Sequence, residues 1–209
     1  MNLNRYPLVL LVLFLAAAGL SGFAPVDRFN WVAETFPAWI GAAILVFTHR
    51  RFPLTGISYT LIFLFALILL TGGHYTYAEV PLGEWAREAF GWDRNHFDRL
   101  GHFFQGVMPA VLARELLLRR TTLHSGPRVF FIACATAMAI SALYEIFEWQ
   151  YAVTFGGEAA DDFLGSQGDI WDAQKDMSMA LQGAVIAQLL LWVWHDRQIE
   201  RLREVLATR

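Results

Sequence analysis

The chain has 209 residues, 56% of them hydrophobic and only 17% charged, with a net charge of −3 and a mean hydropathy of +0.39. A soluble domain carries about 25% charged residues, so the composition argues for a membrane protein and against a nucleic-acid partner. The single cysteine, Cys134, excludes an intrachain disulfide and a thiolate metal cluster.

The first apolar run, Pro7–Val26, has the length of a helical membrane span, about 17–25 residues. Arg5, the leucine-rich stretch and Gly22–Phe23–Ala24 also fit a cleavable signal peptide, but the later spans already require membrane insertion. A second span is expected around Thr35–Thr48. Arg50–Arg51 and Pro53 mark a tight turn, and the uncharged run Phe52–Gly73 supplies a third. Gly72–Gly73 and Pro81 are expected to break that helix, leaving His74, Tyr75, Tyr77 and Glu79 in an outer loop or at the interface.

A short surface helix within 87–99, turning at Gly91, leads into a fourth span over Leu100–Ala113. The fifth, Val129–Tyr144, repeats alanine and serine closely. Small residues let membrane helices approach one another, so this helix is expected to be central. The sixth covers Met177–Trp194, and the tail "HDRQIERLREVLATR" reads as an amphipathic helix on the cytoplasmic surface. The expected fold is all-α: one polytopic membrane domain with six transmembrane helices over about 7–26, 32–48, 53–73, 98–118, 128–148 and 175–195. That arrangement puts 11 of the 16 basic residues on the side of both termini, which the positive-inside rule makes cytoplasmic. Of the 19 acidic residues, 15 then fall outside or near the outer face.

Those acids are patterned. Asp98, His102 and Gln105 share one helix face, with Asn95 a turn earlier. Ser141, Tyr144, Glu145 and Glu148 share a second face, and Asp169, Asp172 and Asp176 a third. A carboxylate at mid-bilayer costs about 2.5–3.5 kcal/mol on insertion scales, so the three sets must sit near the outer interface, pair with cations, or surround a metal or a wet cavity. Bland readings compete: the aspartates as a solvated helix start, His102 as a structural partner of Asp98, and Glu148 as an interface residue. A histidine among carboxylates, without thiolates, suits a divalent ion such as zinc, manganese or iron. Without a metal, the same carboxylates would form a proton relay.

The stretches "GGHYTYAEVPLG", "RNHFDRLGHFFQG", "SALYEIFEW" and "FLGSQGDIWDAQKDM" together resemble the YjdF-type bacterial inner-membrane proteins. That resemblance spans about residues 72–190 and implies a multi-pass protein of the bacterial cytoplasmic membrane. The chain is more loosely similar to VanZ-like membrane proteins. Asp98, His102 and Phe103 match their D-K-x-x-H-F-type helix start, and Glu145 with Glu148 or Trp149 replaces an E-x-x-Q-type element. Asp169, Asp172 and Asp176 approximate an R-x-x-D-x-x-D-x-x-x-N-type segment. Neither resemblance supplies a reaction; both imply that the three sets form one site.

The leading expectation is a metal-dependent cell-envelope enzyme acting by hydrolysis or group transfer on a lipid or lipid-linked substrate. His74, His102, Glu145 and Asp176 are the expected metal contacts, with Glu148 or Asp172 as general base. Asp98, Gln105, Tyr144 and Asp169 complete the candidate site. A small proton-coupled transporter or binding protein is a second expectation, and a non-enzymatic accessory protein a third. The transporter would need a polar path to the cytoplasmic face, whereas polar residues thin out through the inner half of spans four to six.

Overall fold

The computed structural model describes residues 5–156 and 165–208. The stretch 157–164, part of the expected outer loop, lies outside the described residues. Among the described residues there are seven α-helices and no strand: α1 (Arg5–Ser21), α2 (Arg28–Thr48), α3 (Gly56–Tyr75), α4 (Pro81–Phe90), α5 (Phe97–Arg120), α6 (Pro127–Phe155) and α7 (Asp172–Ala207). A single 3-10 turn, Tyr77–Glu79, lies between α3 and α4. By length and composition α2, α3, α6 and α7 can cross a membrane. α1, at 17 residues, is apolar but shorter, and α5, with charges at both ends, is too polar to qualify by that measure.

Local chemistry sets the boundaries. The Asp27 carboxylate accepts the Asn30 N–H at 2.6 Å and starts α2; the Thr55 hydroxyl accepts from Ser58 N–H at 3.3 Å and starts α3. α4 stops at Gly91, whose φ of +66° is accessible to glycine without strain. The Gly72–Gly73 pair does not break α3 as expected. The helix runs on to Tyr75, and the chain turns at Thr76, at φ +61°. The missing side chains serve packing instead: the Tyr77 ring occupies the space beside Gly72, and Glu34 and Thr35 lie against Gly73.

The bundle has two halves. α1 and α2 pack on α3 around Phe14, Ala18, Ala38, Ala66, Leu69 and Leu70. The other half is built on α5, which contacts α3, α6 and α7 and is the central helix in place of α6. Two glycines explain its closest contact. A methyl on Gly106 of α5 would overlap the Ala180 carbonyl of α7, and one on Gly183 of α7 would overlap the Phe103 carbonyl.

The arginine-rich tail is not a separate surface helix. α7 continues unbroken for 36 residues, a length of about 54 Å, well beyond an apolar bilayer core of about 30 Å. Its tail is held by Ile199, which packs with Leu118 and Val129, and by Arg203, which donates to the Leu118 carbonyl.

Candidate functional site

The start of α5, the second half of α6 and the start of α7 turn their polar faces toward one another, and His102 lies where they meet. Asp98 and His102 are 6% and 5% exposed. His102 Nδ1 donates to Gln105 Oε1 at 3.1 Å, which leaves Nε2 facing Asp98 Oδ1 at 3.4 Å. From α6, Glu145 brings Oε1 to 3.4 Å from Nδ1, and Glu148 is buried less than one turn further along. From α7, Asp176 completes the cluster. Ligand atoms of Asp98, His102 and Asp176 lie within 4.8 Å of one another, as do those of His102, Glu145 and Glu148. The imidazole belongs to both sets.

Helical spacing does not single out the cations that hold the third face. Arg99 pairs with Asp176 and bonds Asp172 Oδ1 at 2.6 Å; it reaches Asp169 Oδ2 at 3.3 Å. Arg94 bonds the same Asp172 oxygen at 2.8 Å and the carbonyls of Gly165 and Ser166 at 3.0 and 3.1 Å. Asn95 and Gln167 add a reciprocal pair of hydrogen bonds at 3.0 and 2.9 Å. Asp172, one of the two expected general bases, is therefore a charge partner for two guanidiniums that fastens the 165–171 segment to α5. Asp169 lies at the rim, where hydrogen bonds from Lys175 Nζ, at 2.6 Å, and from the Trp171 N–H hold its carboxyl below the usual aspartate range.

His74, an expected metal contact, is not brought to this cluster. Its Nδ1 bonds the Ser21 carbonyl at 2.7 Å, tying the end of α3 to the end of α1. In its stead the structure supplies Glu34, a lone acid in α2 that no pattern in the sequence had marked. Glu34 is 2% exposed and accepts a hydrogen bond from Tyr144 at 3.3 Å. It lines a cavity of about 340 Å³ with Asp98, His102, Gln105, Tyr144 and Glu148. In contrast to the arginine-bound aspartates, Asp98 Oδ2 and Glu145 Oε1 are buried without a hydrogen-bond partner. The nearest cation to Asp98 Oδ2 is Arg94, at 3.9 Å.

The expected thinning of polar residues toward the inner half does not hold either. Glu115 of α5, 0% exposed, accepts from the Thr55 N–H and hydroxyl at 3.0 and 2.8 Å, Ser58 at 2.5 Å and Arg119 at 2.6 Å. It also faces His195 Nε2 of α7 at 3.3 Å. Gln188 joins the Ala110 carbonyl to Arg114, which pairs with Asp196 at 2.7 Å. The four-residue spacing of Glu115 and Arg119 was a visible signal, but charges near a helix end read as loop residues.

Helices with apolar outer faces agree with what the comparisons with known proteins return. The family model "Predicted membrane protein (DUF2238)" matches residues 6–197. The chain belongs to this family. The DUF2238 chain is also 45% identical over 201 residues to "Inner membrane protein YjdF" of Escherichia coli (strain K12), an alignment covering 96% of this chain and 93% of that protein. No solved structure matches it. For a DUF2238 membrane protein, the large apolar side chains exposed on α2 and α6, such as Ile40, Phe47 and Leu143, face lipid rather than water. The buried acids are then a feature of the membrane-embedded bundle.

Proposed function

We propose that this DUF2238 protein is a divalent-cation-dependent enzyme of the bacterial inner membrane, acting by hydrolysis or group transfer on a lipid or lipid-linked substrate. In this reading six helices, α1–α3 and α5–α7, cross the membrane and both termini are cytoplasmic, following the distribution of arginines. α4 then lies at the outer face. The observation that carries the reading is the buried junction at His102, where two carboxylate-rich sets converge and two carboxylate oxygens lack hydrogen bonds. Buried charge without a partner is costly, and a cation among these side chains removes that cost.

His102 Nε2, Asp98 and Asp176 are the proposed cation ligands, because Gln105 occupies Nδ1. Three protein ligands leave positions open, the pattern of a catalytic rather than a structural ion. A zinc, manganese or iron ion there would supply Lewis-acid polarisation of a phosphoryl or carbonyl oxygen. Glu148, with no arginine against it, is the proposed general base, and Glu145 braces the other edge of the imidazole. Arg99 and Arg94 balance the charge of Asp172 and Asp176. Metal analysis of the full chain, purified without chelator, is expected to find one bound divalent ion, lost in His102→Ala and Asp98→Asn. A wild-type protein that stays ion-free when zinc or manganese is added overturns the reading.

The buried polar residues of the inner half favour a second reading, a proton-coupled transporter using the same carboxylates. Proteoliposomes separate the two. Proton flux abolished by Glu145→Gln and by His195→Ala would support transport, whereas cation-dependent turnover of a lipid without flux would support the enzyme.

A further inference from the structure

The cavity on the α2 side of His102 points to the class of lipid, an inference that rests on the lipid substrate proposed above. Its volume of about 340 Å³ is within the range of small-molecule sites, roughly 300–1,000 Å³. Its walls come from α2, α3, α5 and α6. α2 packs on α3, α3 on α5 and α5 on α6, but α2 and α6 make no extensive backbone contact. Their side chains meet through Phe29 and Tyr151, Phe36 and Phe147, and Glu34 and Tyr144. The wall between α2 and α6 is therefore made of side chains rather than of closely packed backbone.

The two ends of the cavity differ in chemistry. One part is apolar, lined by Gly41, Ile62, Phe65, Met108, Leu112 and Ile140. The other carries the carboxylates of Glu34, Asp98 and Glu148 and the imidazole of His102 with the rings of Tyr77 and Tyr144, and among the described residues no arginine or lysine lines the cavity. Carboxylates beside phenol rings are the chemistry that recognises an ammonium group. Unmet bonding capacity marks the same end. Asp98 Oδ2, in a side chain 6% exposed that lines this end, has no hydrogen-bond partner.

We propose that this cleft binds a long-chain amphiphile with an ammonium-bearing head, which enters sideways from the bilayer between α2 and α6. The chain lies along Gly41, Ile62 and Leu112; the ammonium lies among Glu34, Asp98 and Tyr144. Asp98 is shared with the cation site, but Glu34, Tyr77 and Tyr144 belong to neither ligand set around His102, so a substitution at Glu34 tests the head site apart from the cation site.

The test uses the full chain in phosphatidylglycerol nanodiscs, whose lipid has no amine to compete. A hexadecylamine carrying a photoreactive diazirine in its chain is compared with the matching alcohol. The amine is expected to label Ile62, Met108 and Leu112, while the alcohol labels the outer lipid-facing surfaces. Glu34→Gln is expected to lower cleft labelling by the amine roughly tenfold or more, the loss of one charge-assisted contact. Gly41→Trp adds bulk to the apolar part and leaves every acid in place, since a Cβ at Gly41 meets nothing within 4 Å, and it keeps the test decisive if Glu34→Gln fails to fold. Equal cleft labelling by amine and alcohol, or amine labelling that survives both substitutions, overturns the proposal. Metal content is read on the same samples. An ion-free wild type that still selects the amine overturns the cation reading and supports this one; an ion-bound wild type with no selectivity does the reverse.

Discussion

Arg99 and Arg94 divide the acids around His102 into two kinds. Asp169, Asp172 and Asp176 are bound by guanidinium groups, while among the described residues no arginine or lysine comes within hydrogen-bonding distance of Glu34, Asp98, Glu145 or Glu148. The first kind holds the 165–171 segment in place, and its rim shows a dependence on acid. Asp169 has a native pKa below the ordinary 3.8, so its contribution is complete at neutral pH and is lost as pH falls below 3.8 through the lower native value. Protection of the 165–171 amides, as exchange relative to the unstructured chain at the same pH, is expected to fall as the medium is taken from about pH 5 to pH 3. Lys175→Ala should bring that fall to higher pH; an unchanged acid profile would show that the Lys175 contact does not hold the segment. Asp98, His102, Gln105, Glu145 and Asp176 were legible in the sequence because helical spacing alone puts each on a polar face. Glu34 and the two arginines were not, since what gives them a role is a neighbour on another helix. His74 failed for the same reason: its partner is a backbone carbonyl 53 residues away.

Among the helices, the contact of α5 with α7 depends on two positions that lack a side chain. Gly106→Ala puts a methyl into the Ala180 carbonyl, a backbone atom that cannot rotate away. Overpacking of this kind costs about 1–3 kcal/mol, and unfolding in detergent should show that loss. Gly41→Ala, in open space, should leave stability unchanged or slightly raised, because alanine favours a helix. Equal stability of Gly106→Ala and wild type would mean that the two helices are not held at this distance. The same residue type explains which boundaries were readable. Gly91 ends α4 as its sequence context suggested, but Gly72–Gly73 lies inside α3. In a helix with apolar neighbours, glycine creates room for a close partner, and the surrounding helix keeps its hydrogen bonds. The tail was misread because its charges suggested a surface, whereas nothing between Trp194 and Arg201 breaks the helix.

At the scale of the molecule, composition identified a membrane protein and spacing located the bundle. The number of crossings is the part that composition leaves to experiment, since α5 is polar at both ends. With Cys134→Ser as background, a cysteine from Glu88→Cys in α4 should react with an impermeant maleimide in intact cells. One from Glu204→Cys at the end of α7 should react only once the membrane is opened. Reaction of both from the same side would refute the six-span orientation.

The Glu115 carboxylate gathers the start of α3, the end of α5 and the imidazole of His195 in α7 at one point. Three of these contacts come from the start of α3 and one from α7, so a single carboxylate fastens the two halves of the bundle to each other. Removing it leaves Thr55, Ser58, Arg119 and His195 without the acceptor they share, so one substitution at Glu115 loosens three helices at once.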